Sequence, residues 1–171
     1  MSFKNPEEVK AFAEWAQQRI TDMGHYAHTN GLLAGELTGH CVWAMPGRIF
    51  IGKIWPGDEK DRTLWMISGD WATPDHIPVE LANTAREAAR HFALKWQMQA
   101  ERFATDLAET QTETETDSAS WSEVSEQLIE RAERLYAIVE QDEWWDEPKQ
   151  AIDTLLATDK KIAASDQGPD A

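Results

Sequence analysis

Residues 40–55 read HCVWAMPGRIFIGKIW, and they decide the fold class. Two apolar runs, His40 to Met45 and Arg48 to Trp55, flank Pro46-Gly47. Proline presets φ for a turn and glycine tolerates a positive φ beside it, so the dipeptide closes a tight turn between antiparallel strands. In the second run Ile49, Ile51 and Lys53 alternate with Phe50, Gly52 and Ile54, which predicts a strand covered mainly on one face. A polar loop, Gly57 to Asp61, and a further strand from Arg62 to Ser68 extend the hairpin into a meander. Leu32 to Leu37 is a weaker strand candidate, interrupted by Gly35. Three or four antiparallel strands are expected, with an apolar face that needs cover.

Helices supply the cover. Asn5-Pro6-Glu7-Glu8 reads as a helix start, with Asn as N-cap, Pro in the first turn and acids beside the positive end. Val9, Phe12, Ala13, Ala16, Ile20 and Met23 then recur at helical spacing, and Gly24 stands where a C-terminal cap belongs. After the meander, Ser68 to Pro78 reads as a polar connection rich in turn residues. Thr84-x-x-Glu87 is a capping box, followed by the stripe Ala85, Ala88, Ala89, Phe92, Trp96, Ala100, Phe103 and Leu107. This long helix is the best candidate to lie on the sheet. Arg86, Arg90, Lys95 and Arg102 occupy its other side.

The fold class is therefore α+β, with a core domain over residues 1–107. Residues 108–119 (AETQTETETDSA) read as a Thr/Glu-rich linker or loop, and 120–159 as an acidic helical segment. Ser120-x-x-Glu123 is a second capping box, opening a helix with Trp121, Val124, Leu128, Ala132, Leu135 and Val139 on one side. Pro148 starts a last helix with Ala151, Ile152, Leu155 and Leu156, and residues 160–171 read as a tail.

The net charge of −15 is unevenly placed: residues 1–104 carry −2 and residues 105–171 carry −13. Such a surface repels nucleic-acid phosphates and anionic lipid, so neither nucleic acid nor membrane is an expected partner, whereas a basic protein is. No run approaches the roughly 20 apolar residues needed to span a bilayer. The N-terminal MSFKNPEE lacks the apolar stretch of a signal peptide, and a single cysteine, Cys41, suits a reducing compartment. A cytoplasmic protein is expected. Nine tryptophans are spread along the chain, which favours packing roles for most of them.

Few residues carry chemistry. In Ser68-Gly69-Asp70-Trp71-Ala72-Thr73-Pro74-Asp75-His76, the side chains Asp70, Asp75 and His76 could form an acid/base group, with Arg86 and Arg90 helping to hold a ligand. The bland reading of that segment is turn and capping chemistry, and it is the stronger one. His25 and His28 have a metal-ligand spacing but no third ligand at matching spacing. His40 and Cys41 are neighbours on a strand, so they point to opposite faces and cannot act as base and thiol. There is no nucleophile elbow, P-loop, dinucleotide fingerprint or H-E-x-x-H. No catalytic residue, metal or cofactor is assigned, and the reading leans away from an enzyme.

Glu123, Glu126, Glu130, Trp144 and Trp145 are the candidates for holding a partner, because aromatic anchors ringed by charge are typical of interfaces. Burial of at least one ring of the Trp pair is favoured, since two exposed indoles invite association. Alternatively, Glu123, Glu126, Glu130 or Glu133 fold back on the basic helix face, although a plain solvated charged face is the stronger reading of that helix.

The segments Trp65-Met66-Ile67-Ser68-Gly69-Asp70, Pro74-Asp75-His76, Ala85-Arg86-Glu87-Ala88 and His91-Phe92-Ala93-Leu94-Lys95-Trp96-Gln97 resemble a family of small bacterial proteins that is a domain of unknown function. That resemblance implies no activity and no catalytic residues. Three functional expectations stand: a non-catalytic binding or regulatory module for a basic protein; an enzyme or small-ligand binder with its site at Ser68 to His76; and a structural homodimer joined through tryptophans.

Overall fold

The computed structural model describes residues 3–109 and 115–145. Helix α1 (Pro6–Thr29) starts as its sequence requires, the Asn5 side chain accepting from Glu8 N–H at 2.9 Å. It does not stop at Gly24. A mid-helix glycine costs about 1 kcal/mol, and here Met23 and Ala27 bury themselves on the sheet around it. The cap glycine is Gly31, at φ 65°. Leu32 N–H bonds Ala27 C=O and Gly31 N–H bonds His28 C=O, the two bonds of a Schellman motif. His25 and His28 thus lie on the helix rather than in a loop.

The sheet has four strands, β1 (Leu37–Met45), β2 (Ile49–Pro56), β3 (Leu64–Ser68) and β4 (Asp75–Pro78), antiparallel in the order 1-2-3-4. The turn at Pro46-Gly47 closes β1 on β2, with Gly47 at φ 75°. Two expectations fail here. Leu32 to Glu36 is irregular backbone, although Leu33 is buried. The stretch from Ser68 to Pro78 is not all connection, since its last four residues form β4.

The register of β1 on β2 shifts between Cys41 and Trp43, leaving Val42 as an extra residue. Side chains two apart on a regular strand share a face, but a bulge breaks that alternation. Cys41 accordingly joins the core beneath α1, and Trp43 the core on the opposite side.

Both faces of the sheet are covered, in contrast to the single covered face that the alternation predicts. Phe50, Ile54 and Met66 pack with Phe12, Ala16 and Met23 of α1. Ile49, Ile51, Trp65, Ile67 and Ile77 pack with helix α2 (Ala85–Glu109). The stripe on α2 is buried as expected from Ala85 to Ala100, with Phe103 half-buried. Its alanines bring a second helix close. Helix α3 (Glu115–Val139) packs on α2 through Leu128, Ala132, Leu135, Ile138 and Val139. It begins inside the Thr/Glu-rich stretch, so Ser120 is an interior helical residue rather than a cap. The side chains of Leu107 and Trp121, the helix expected from Pro148 and the tail from residue 160 lie outside the described residues.

Gly69 is the tightest backbone point. It has φ 118°, and a Cβ there would press on the Arg48 backbone and stand 3.0 Å from Ile49 Cα. Replacing it with alanine forces both strain and a clash, a cost of about 2–3 kcal/mol. Thermal unfolding of Gly69→Ala should show a melting temperature clearly below that of Gly47→Ala, whose Cβ meets nothing within 4 Å. Equal losses would mean that the contact with Arg48 carries no weight.

Candidate functional site: a buried carboxylate, a docked acidic helix and a tryptophan cavity

Asp75 is buried at the start of β4 and is fully engaged. One oxygen accepts from Lys95 Nζ at 2.6 Å and from His76 N–H at 2.8 Å, and the other from Trp96 Nε1 at 3.0 Å. Lys95 also donates to His76 C=O at 3.0 Å, so both backbone polar groups of His76 have side-chain partners. A buried carboxylate is tolerated only when paired and hydrogen-bonded, and this one is. Lys95, expected on the solvated basic face of α2, is therefore an internal counter-ion.

The imidazole of His76 turns the other way, to the Tyr26 hydroxyl of α1 at 3.1 Å. Its Nδ1 is 3.9 Å from Asp75, beyond hydrogen-bonding range. Burial holds the His76 pKa below the ordinary value, helped by the Lys95 charge and opposed by that of Asp75. Burial, with the Asp75 charge, pushes the Tyr26 pKa up. Both rings are thus neutral near pH 7. Asp70 is exposed, and no hydrogen bond or ion pair joins it to Asp75 or His76 among the described residues. The Ser68 hydroxyl is buried with no hydrogen-bond partner among them. The sequence segment therefore forms a clamp across three layers.

Arg86 has a structural task. Its Nε donates to Val139 C=O at 2.8 Å and its Nη2 pairs with Asp142 at 2.7 Å, placing a cation at the negative end of α3. Arg90 is exposed. The alternative in which the acids fold onto α2 is not what the structure has: Glu123, Glu126, Glu130 and Glu133 are exposed, and Glu130 pairs within its own helix with Arg134 at 2.8 Å. The arginines of α3 face the loop after β3. Arg131 donates to the Thr73 hydroxyl, and Arg134 lies 4.8 Å over the ring of Trp71, which also carries Arg48 at 4.4 Å.

The Trp pair divides. Trp145 is buried and stacked on Trp43, with centroids 4.2 Å apart and planes at 21°. Its Nε1 donates to Ile138 C=O, while Trp43 Nε1 donates to Trp144 C=O. Trp144 is half-buried and bonds Gln141.

Clefts on the described surface include the following three. One of 460 Å³, between the start of α1 and the Pro46-Gly47 turn, is walled by Phe3, Phe12 and Trp15. One of 320 Å³ runs along α2 past Leu81, Leu94 and Met98. The third, of 310 Å³, lies among Trp43, Trp65, Trp145, Lys53, Asn83 and Arg86. Ser68 to His76 line none of these three. Among the described residues no three His, Cys, Asp or Glu side chains converge as a metal site requires, and no helix is long and apolar enough to cross a membrane.

Together these features define the protein as a layered α+β domain in which α1 covers one face of the sheet and α2, with the acidic helix α3 packed on it, covers the other. Residues 9–145 match the family described as Domain of unknown function (DUF4826), and the chain belongs to it. The match runs from α1 to Trp145, well beyond the segments of β3, β4 and α2 that resemble such a family in the sequence. No curated protein and no solved structure matches the chain.

The clamp yields a pH prediction. Because the folded pKa of His76 is depressed, the unfolded chain takes up its proton more readily. The stability contributed by the neutral ring is present above about pH 6.5 and is lost as pH falls below it. Urea unfolding at pH 7.5 and pH 5.5 should show a smaller acid loss in His76→Gln than in the unaltered protein; identical losses contradict this. Asp75→Ala, which leaves Lys95 without its counter-ion and Trp96 N–H without an acceptor, should cost about 2–3 kcal/mol at pH 7.5.

Proposed function

We propose that this chain is a non-catalytic binding module for a basic protein partner, which docks on the outward face of α3. One observation carries the reading: the docked helix turns its arginines inward and its acids outward. Arg131 is occupied with Thr73 and Arg134 with Trp71 and Glu130, while Glu123, Glu126, Glu130, Glu133 and Glu140 are exposed. Exposed apolar residues lie among these acids, Ile129 at 41% and Tyr136 at 47%. Residues 126, 129, 130, 133, 136 and 140 fall on one helical face, where spacings of three and four bring side chains together. A partner suited to that face is a Lys/Arg-rich amphipathic helix with one or two apolar anchors, attracted by charge and held by packing.

The engagement of Asp75 in hydrogen bonds to Lys95 and Trp96 gives no support to catalysis at Ser68 to His76. The test uses a fluorescent basic amphipathic peptide and anisotropy. Binding should weaken steeply with salt, and the triple variant E126K/E130K/E133K should lower affinity at least tenfold (about 1.4 kcal/mol or more) with its circular dichroism spectrum unchanged. Binding that ignores both salt and the charge reversal, or no binding, would overturn the proposal.

A further inference from the structure

The cavity between the tryptophans lies apart from the outward face of α3 and has a chemistry of its own. It is 310 Å³ in volume, at the lower end of the range for small-molecule sites, roughly 300–1,000 Å³. Strands β1, β2 and β3, the start of α2 and Trp145 all contribute to its wall. The indole N–H groups are already used: Trp43 donates to Trp144 C=O, Trp65 to Ala82 C=O and Trp145 to Ile138 C=O. These rings therefore offer carbon surface alone, which suits a flat apolar body.

The charge at the cavity has one sign. No carboxylate lines it. Arg86 is committed to Val139 C=O and Asp142. Lys53 is half-buried, its ammonium 4.6 Å above the ring of Trp65, and it makes no ion pair among the described residues. An ammonium on a four-carbon stem can swing to a ligand while the stem keeps its packing. The first turn of α2, whose end of the helix dipole is positive, borders the same space through Ala85 and Arg86. A cationic ligand would meet the like charges of Lys53 and Arg86, against the cation–π attraction of indole faces that Lys53 already occupies at Trp65.

We propose that this cavity binds a small organic anion, a carboxylate on a flat aromatic body, with Lys53 as its counter-ion and the indoles as its walls. Asn83, on the same wall, supplies an amide for the second carboxylate oxygen. No covalent step is involved, and the site is independent of the partner proposed for α3.

The probes are 2-naphthoate, its neutral amide 2-naphthamide and the cationic 2-naphthylmethylamine, titrated by calorimetry and by ¹H–¹⁵N spectra of the indole N–H groups. The acid should bind at millimolar concentration or below, at least tenfold more tightly than the amide, and the amine should not bind. Signals of Trp43, Trp65 and Trp145 should shift, while those of Trp15 and Trp55 stay in place. Lys53→Met, which keeps the stem, should remove the preference for the acid over the amide; Lys53→Arg should retain it. The comparison of acid with amide on the unaltered protein holds even where a variant fails to fold. Absence of binding, equal binding of acid and amide, or shifts centred on Trp15 would overturn the proposal.

Discussion

The stack of Trp145 on Trp43 is the contact on which the rest of the molecule depends. It joins residues 102 positions apart in sequence, and each ring N–H bonds a carbonyl of the C-terminal part, Trp43 at Trp144 and Trp145 at Ile138. Burial of two indoles is among the largest single apolar contributions that a small domain can make. Its geometry rests on the bulge at Val42, which sends Trp43 to the α2 side while Cys41 stays beneath α1. With Trp145 in place, Arg86 reaches the C-terminal carbonyls of α3, and the helix is fixed in rotation. That rotation sets which of its charges meet the loop and which meet solvent.

Asp75 performs the equivalent task at the other edge of the sheet. Its four-residue strand β4 has little apolar area of its own, yet the carboxylate ties it to α2 through Lys95 and Trp96. His76 continues the tie across the sheet to Tyr26 of α1. The groups that looked most chemical in sequence thus act in holding layers together, and their polarity serves the specificity of the fold.

The sequence carries much of this architecture. Alternation around Pro46-Gly47 identifies the β1–β2 hairpin, the stripe from Ala85 to Phe103 identifies α2, and Asn5-Pro6 marks where α1 begins. What it does not carry has physical causes. A bulge leaves no composition signal, so the aim of Trp43 is invisible. Gly24 reads as a helix end because local propensity argues for one; burial of Met23 and Ala27 overrides it, and the true cap waits at Gly31. The two-sided cover of β2 hides because Lys53, a polar residue in the strand, lies along Trp65 rather than in open solvent. Of the site, the polar segment and the acidic helix could be pointed to, but their partners could not. Lys95 and Arg86 resemble solvent-facing charges until Asp75 and Val139 are brought to them, and nothing local in Tyr26 announces His76, 50 residues on.

Both proposed binding surfaces rest on one premise, that α3 and the residues through Trp145 form a single cooperative unit with the sheet. Native-state hydrogen exchange tests that premise most directly, because it reports the opening free energy of each element separately. Amides in the middle of α3, around Ala132 and Leu135, should exchange only with global unfolding, at the same free energy as those of Phe92 in α2 and Ile51 in β2. Exchange of α3 through a separate, lower-energy opening while α2 and the sheet stay protected would contradict the account.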